Sequence, residues 1–411
     1  MIINTTLVSL VVVYVIIGLS ASAVSSVSQI SVLALIVGNI LILLFRRVNA
    51  KWVSIYIMIN CYFAITWLYS ASVEINSLIR FVTAVGGGFI VIYAYAIKLI
   101  KENALIAILI MPFIVNVVSY YLGVNLTADL LDIDKDQALA RFSGLLGNSN
   151  VLATAFAMPA FVYILLVLSG RVLFGWRWTL VMLIILATAV ALSGSRKSLF
   201  FILVYIIFII FSLTKFDIRK KAATTVFVMA LGVGGISLCG SGYCEFMNDL
   251  LFKIESVRRL MNAFEGDESS YISRMQYLEL APRLFLESPI IGHGLDAFRI
   301  VSGFGVYAHN NYIELLVNSG VVGFSLYYIT LLLAAYRFAV RSKSLGTFII
   351  ILVMFATLDM TGVTYLDRNV QVIYVLLLFL GLSKVQSKES LNNLPSLAQP
   401  ADWAERSGEA R

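Results

Sequence analysis

Only two histidines occur in the 411 residues, and they lie close together. The first sits in Pro289-Ile290-Ile291-Gly292-His293-Gly294. The second opens His309-Asn310-Asn311-Tyr312-Ile313-Glu314, which leads to Gly320-Val321-Val322-Gly323. An unperturbed imidazole has a pKa of about 6.5, so at neutral pH it can take a proton from a sugar hydroxyl. His309 stands in a neutral polar setting just before an apolar run and is the candidate base or substrate contact. His293, between two glycines, reads as support for loop geometry. Glu314 follows His309 by just over one helical turn and either orients it or is a solvated acid at a helix start. Asn310 belongs to the same stretch.

Cations surround these stretches. Lys253, Arg258, Arg259, Arg274, Arg283 and Arg299 share the segment with the histidines. Arg196 and Lys197 lie in the turn Ser193-Gly194-Ser195-Arg196-Lys197-Ser198, Arg80 near a helix start, and Arg141 before Phe142-Ser143-Gly144. A guanidinium holds phosphate through two parallel hydrogen bonds, so this pattern suits an anionic, phosphate-bearing substrate. Arg196, in a tight turn, and Arg274, at the head of a helix leading to the histidines, are the principal anion-binding candidates. Arg80 and Arg141 are weaker ones, and Arg258, Arg259 and Arg283 read as contacts to lipid headgroups or acidic side chains. Asp132, Asp134 and Asp136 imitate the start of a calcium loop, but Gln137 and Ser143 stand where that loop needs Gly and Glu. Gly86-Gly87-Gly88, inside an apolar run, suits close helix packing rather than a phosphate cradle.

The elements that position these residues are membrane helices. The chain is 60% hydrophobic, with mean hydropathy +0.92 and 13% charged residues, against about 25% charged in soluble proteins. Continuous apolar runs of about 20 residues recur, the length that crosses a bilayer as a helix. They lie near 5–23, 30–45, 52–70, 78–98, 104–123, 151–168, 178–193, 199–214, 222–240, 316–336, 345–360 and 369–383. The expected fold is an all-α polytopic membrane protein of about twelve transmembrane helices with one long, partly helical outer loop. Residues 1–240 would carry the first nine helices, 241–312 the loop and 313–385 the last three, with 386–411 a polar tail. Within the loop, 250–264 and 271–286 have helical spacing and suit amphipathic helices at the membrane surface. The first run lacks the basic flank and cleavage site of a signal peptide.

Lys and Arg fall on alternate connections. Arg46, Arg47 and Lys51, then Lys98 and Lys101, then Arg171 and Arg177, then Arg219 to Lys221, then Arg337, Arg341 and Lys343 mark one side. That side is cytoplasmic by the positive-inside rule. Both termini then lie there, and the histidines lie outside. The net charge of +7 is thus a topology signal, not one for nucleic acid. Cys61, in an apolar run, reads as a buried small hydrophobe. Cys239 and Cys244, at an outer helix end, would be able to pair if that face is oxidising.

The residues resemble the O-antigen ligase/polymerase family of bacterial envelope enzymes at four points in order. These are Arg141-Phe142-Ser143-Gly144 with Asn148 and Asn150, then Ser193-Gly194-Ser195-Arg196, then Arg274 leading to Ser288-Pro289 through Gly294, and then His309-Asn310 through Gly323. Asn148-Ser149-Asn150 departs from the family at its middle residue, where Pro is frequent. The resemblance implies a metal-independent glycosyltransferase of the GT-C type, without a cofactor, in the bacterial inner membrane and with a periplasmic site. Its donor would be an undecaprenyl-pyrophosphate-linked glycan and its acceptor a glycan or lipid A–core, among membrane lipids and beside a chain-length regulator. On this chain, His309 would be the base or would position the acceptor. Arg196 and Arg274 would neutralise the leaving pyrophosphate, with Arg80 and Arg141 behind them. The stretch around His309 resembles the polymerases more than the ligases. A transporter or flippase for the same lipid is the alternative of a different class. It would show internal repeats and charge at mid-bilayer, whereas here no repeat is visible and the charges sit at the rim.

Overall fold

The computed structural model describes residues 2–20, 34–35, 37–38, 51–71, 74–124, 142–213, 257 and 269–383. Among them there is no strand. The helices are α1 (Ile2–Val13, continued by a π-turn Tyr14–Leu19), α2 (Lys51–Thr66), α3 (Ile75–Ala96), α4 (Glu102–Tyr121) and α5 (Ser149–Leu168). They continue with α6 (Trp176–Ser193), α7 (Arg196–Leu213), α8 (Ser269–Glu287), α9 (Asn311–Ser342), α10 (Leu345–Thr361) and α11 (Arg368–Leu382). Six are long and apolar enough to cross a membrane: Lys51–Tyr69, Ile75–Ala96, Glu102–Tyr121, Ser149–Leu168, Trp176–Ser193 and Asn311–Ser342. The protein is therefore a polytopic helical membrane protein. The apolar run near 222–240, most of that near 30–45, the surface run 250–264, Arg141, the acidic stretch 132–136, Cys239, Cys244 and the polar tail lie outside the described residues.

The sequence decides which helices are central. α11 is apolar on nearly every side and is buried from Asn369 to Leu382, the condition of a helix walled in by others. It packs against α3, α9 and α5. Glycine allows close approaches here: a Cβ at Gly381 would lie 2.3 Å from the Ala334 oxygen, one at Gly88 2.8 Å from the Gln371 carbonyl carbon, and one at Gly87 would fall inside the Tyr14 ring. The Gly86–Gly88 triplet is thus a packing face, as its position in an apolar run suggests. Cys61 corrects an expectation. It is exposed, on the same outer side of α2 as Ile57, Met58 and Ile65, while Ile59 and Phe63 turn inward.

The two ends of the bundle differ. At one end Arg171 Nη1 donates to Tyr95 Oη at 3.1 Å and lies over the Phe379 ring, and Arg341 Nη1 donates to the Leu380 carbonyl at 2.7 Å. These belong to the connections marked by Lys and Arg. The opposite end gathers the ends of α2 and α6, the starts of α3, α5, α7 and α9, and the whole segment between α8 and α9. Arg299 straps that segment down, bridging Glu74 at 2.5 Å and Asp296 at 3.0 Å, while Ser77 Oγ donates to Asp296 at 2.6 Å.

Candidate active site

The site is organised by a break in α9. Gly320 adopts φ 60, ψ −167 inside the helix, which strands amides and carbonyls that a continuous helix would pair with one another. The first histidine stretch supplies the missing partners. The His293 and Gly294 amides donate to the Val317 and Asn318 carbonyls at 2.9 and 2.8 Å, and the Val321 and Val322 amides donate to the Pro289 and Ile290 carbonyls at 2.9 and 3.1 Å. Only glycine permits this approach. Gly292 has φ +72, and a Cβ there would lie 2.4 Å from Asn318 backbone; a Cβ at Gly320 would lie 2.3 Å from the Ile290 oxygen. Irregular backbone within a membrane protein is tolerated where protein satisfies it in this way. α2 adds further stitches, with Ser70 Oγ donating to the Leu295 carbonyl at 2.6 Å and Ala71 N to the His293 carbonyl at 3.1 Å.

His293 belongs to this weld. Its Nε2 lies 2.8 Å from the Leu284 carbonyl and ties the end of α8 to the loop. A carbonyl only accepts, so Nε2 carries the proton. The short piece of α9 before the break carries the second stretch. Asn310 caps it, accepting from the Tyr312 and Ile313 amides at 3.0 and 3.3 Å. His309, just outside the helix, takes a left-handed φ of 54, a conformation a non-glycine residue adopts at a cost. Glu314 is fully buried, not a solvated acid. Its carboxylate accepts from the Ala308 amide at 2.8 Å and from the Asn318 side chain at 3.0 Å. It therefore fixes the backbone beside His309, while its oxygens are engaged away from the ring. Asn318 also donates to Tyr365 Oη at 2.9 Å and accepts from the Phe298 amide at 2.7 Å, locking the segment from three directions.

The setting of His309 is not neutral. Burial, then the positive charges of Arg274 and Lys197, push its pKa down to about 4. Desolvation disfavours the imidazolium, and two cations disfavour it further. Arg274 comes from α8 and Lys197 from the first turn of α7, so three elements converge on the ring. Lys197 is buried and donates to Thr154 Oγ1 at 2.6 Å. Thr154 in turn donates to the Asn150 carbonyl at 3.0 Å, and Asn150 Oδ1 accepts from Ser195 Oγ at 2.7 Å. Asn148 caps α5 through the Asn150 amide at 2.8 Å. The two asparagines thus position the turn before α7.

The remaining candidates stand elsewhere. Arg80 is engaged at the rim, where its Nη1 donates to Tyr307 Oη and its guanidinium lies over that ring. Arg196 opens α7, partly exposed, and the neighbouring Lys197 is the residue of that turn whose charge bears on His309. The residue types in Arg196-Lys197 gave no means of choosing between them; helical phase sends one inward. A second buried group also went unnoticed. Asp359 accepts from Tyr328 Oη at 3.1 Å and from the Thr364 hydroxyl, Asn311 donates to Tyr328 at 3.1 Å, and Tyr312 stacks on Tyr328 at 5.1 Å. A lone Asp near the end of an apolar run is the signal that marked it. Among the described residues, no group of three or more His, Cys, Asp or Glu side chains is placed to hold a metal ion.

A histidine held neutral beside two cations can accept or orient a hydroxyl proton while the cations balance an anion. No curated protein matches the chain. Residues 181–328 match the family model described as O-antigen ligase, a span holding the Ser193–Ser198 turn, Arg274, the Gly-His-Gly weld, His309 and the broken helix. Over that span, about a third of its length, the chain is similar to the O-antigen ligase family.

Proposed function

We propose that the chain is a membrane glycosyltransferase moving a glycan from undecaprenyl pyrophosphate to an acceptor sugar hydroxyl, as a polymerase of polysaccharide repeat units. The acceptor oxygen attacks the anomeric carbon and a new C–O bond forms. The bond from that carbon to the pyrophosphate breaks, its electron pair stays on the pyrophosphate, and the hydroxyl proton passes to His309. Arg274 balances the charge that develops on the leaving group, with Arg196 beside the same turn, and fixed cations in a dry site do this efficiently. The observation that carries the reading is His309, half-buried and neutral, in the field of Arg274 and Lys197.

The reading sets the site on the periplasmic face of a bacterial inner membrane, with segment 241–312 over it and both termini in the cytoplasm. The alternate basic connections support that orientation. A ligase, moving a finished chain to lipid A–core, is the second reading, and the matching family model is compatible with both. A deletion strain separates the two. Core carrying a single repeat unit, with no long lipid-linked chains, supports the polymerase. Bare core with long chains stranded on the carrier lipid supports the ligase. An unchanged glycan profile and unchanged lipid-linked pools would overturn both.

A further inference from the structure

We propose that Lys197 is a direct ligand of the donor's diphosphate and forms the floor of the site beneath His309 and Arg274. This rests on the glycosyl-transfer reading above and adds a residue to it. Three observations carry the inference.

The first is isolation. Lys197 is 8% exposed, and its one hydrogen bond among the described residues goes to a neutral hydroxyl, Thr154 Oγ1 at 2.6 Å. An ammonium has three donors, and beyond Thr154 this one meets the face of the Phe201 ring, 6.0 Å from its centroid, so donor capacity remains for a ligand. A buried cation is normally paired with an anion, and no carboxylate among the described residues forms an ion pair with Lys197. Asp367 attracts it from a distance, but that carboxylate caps α11 through the Asn369 and Val370 amides at 2.8 and 3.3 Å.

The second is direction. A Cβ built on Gly362 would come 3.8 Å from Lys197 Nζ, so the ammonium lies at the turn between α10 and α11, where no side chain fills the space. The third is company. Lys197 and Arg274 repel one another and both act on His309. Charges from α7 and α8 thus act on one another and on the imidazole that precedes α9. Like charges converging in a low-dielectric site are stabilised by a multiply charged anion set between them. A diphosphate, with two phosphoryl groups, fits that demand better than a monophosphate. In the transfer step, Lys197 hydrogen-bonds an oxygen of the departing diphosphate as the electron pair arrives there.

The test compares the detergent-solubilised full chain with K197Q, K197M and H309A, using farnesyl diphosphate and farnesyl monophosphate as probes. Gln keeps a hydrogen-bond donor on a side chain one methylene shorter, so K197Q removes the charge while leaving a polar partner for Thr154, and its thermal midpoint reports whether the tie between α5 and α7 holds. The expected result is a thermal midpoint near wild type for K197Q, with diphosphate binding weaker by at least about tenfold and the preference over monophosphate lost. H309A, which keeps both cations, should retain the preference for diphosphate over monophosphate. Wild-type affinity in K197Q or in a folded K197M would overturn the assignment of Lys197 and leave the transfer reading intact. Failure of wild type and H309A to bind the diphosphate would overturn both. If neither neutral variant folds, K197R decides: diphosphate affinity within a few-fold of wild type supports a charge role, and its loss overturns it.

Discussion

The two histidine stretches use similar residues for opposite ends. Around His293, the flanking glycines let backbone meet backbone, and the ring is spent on the Leu284 carbonyl. Around His309, a capping asparagine and a buried Glu314 hold the chain still, and the ring faces cations. What separates them is the company each ring keeps. A histidine whose nitrogen closes a loop contributes stability. A histidine whose surroundings bear charge but whose own backbone is anchored by others is available for chemistry.

The sharpest way to break this contrast is His309→Ala. Loss of a general base lowers turnover by about 10²- to 10⁴-fold, and because Glu314 and Asn310 hold the local backbone, the thermal midpoint should stay near wild type. Transfer assayed with a lipid-linked donor decides it, and normal glycan from a well-inserted variant would remove His309 from the mechanism. Gly292→Ala should do the reverse. Its Cβ would lie 2.4 Å from the Asn318 and Ser319 backbone at φ +72, and such a clash with left-handed strain costs about 3 kcal/mol or more. The expected outcome is poor accumulation or a strongly lowered thermal midpoint, and a variant as stable as wild type would show that the weld does not support the break in α9. His293→Ala should fall between, costing about 1–2 kcal/mol through the lost partner of the Leu284 carbonyl. Turnover at saturating donor should be kept, and a fall matching that of His309→Ala would dissolve the distinction between the stretches.

Much of this was legible in the residues themselves. Apolar runs of membrane length found ten of the helices, because in a bilayer the backbone leaves no other choice. The family's short patterns singled out His309, Arg274 and the Gly-His-Gly loop as candidates. Other parts depend on phase and distance, which spacing does not carry. The run near 316–336 begins at Asn311, because the nine residues from Asn311 to Ser319 form a separate short helical piece before the break at Gly320. Glu314 looked like a surface acid because its partners, the Ala308 amide and Asn318, become neighbours only when the loop folds back. Lys197 stood beside a more conspicuous arginine. The setting of His309 was misjudged for the same reason: its cations come from 35 and 112 positions earlier in the chain, at Arg274 and Lys197.

The smallest effect expected is an absence. The pH dependence of kcat/KM reports the free enzyme, in which burial, Arg274 and Lys197 keep His309 neutral down to about pH 4. Its loss as a base should therefore appear as an acid limb near pH 4, and between pH 5 and 8 no His309 step should be seen. A step near 6.5 that disappears in His309→Ala would mean the ring is solvated and free of both cations. The sign for folding agrees. The unfolded chain takes the proton at about 6.5 and the folded chain only near 4, so the contribution of His309 is fully present above about 6.5 and declines as pH falls towards 4. Donor binding should sharpen the picture. A diphosphate beside Arg274 cancels the repulsion that depresses the imidazolium, so the acid limb of kcat, which reports the complex, should lie at higher pH than that of kcat/KM. A separation between the two limbs that survives His293→Ala and vanishes in His309→Ala would assign the charged pocket to the second stretch alone.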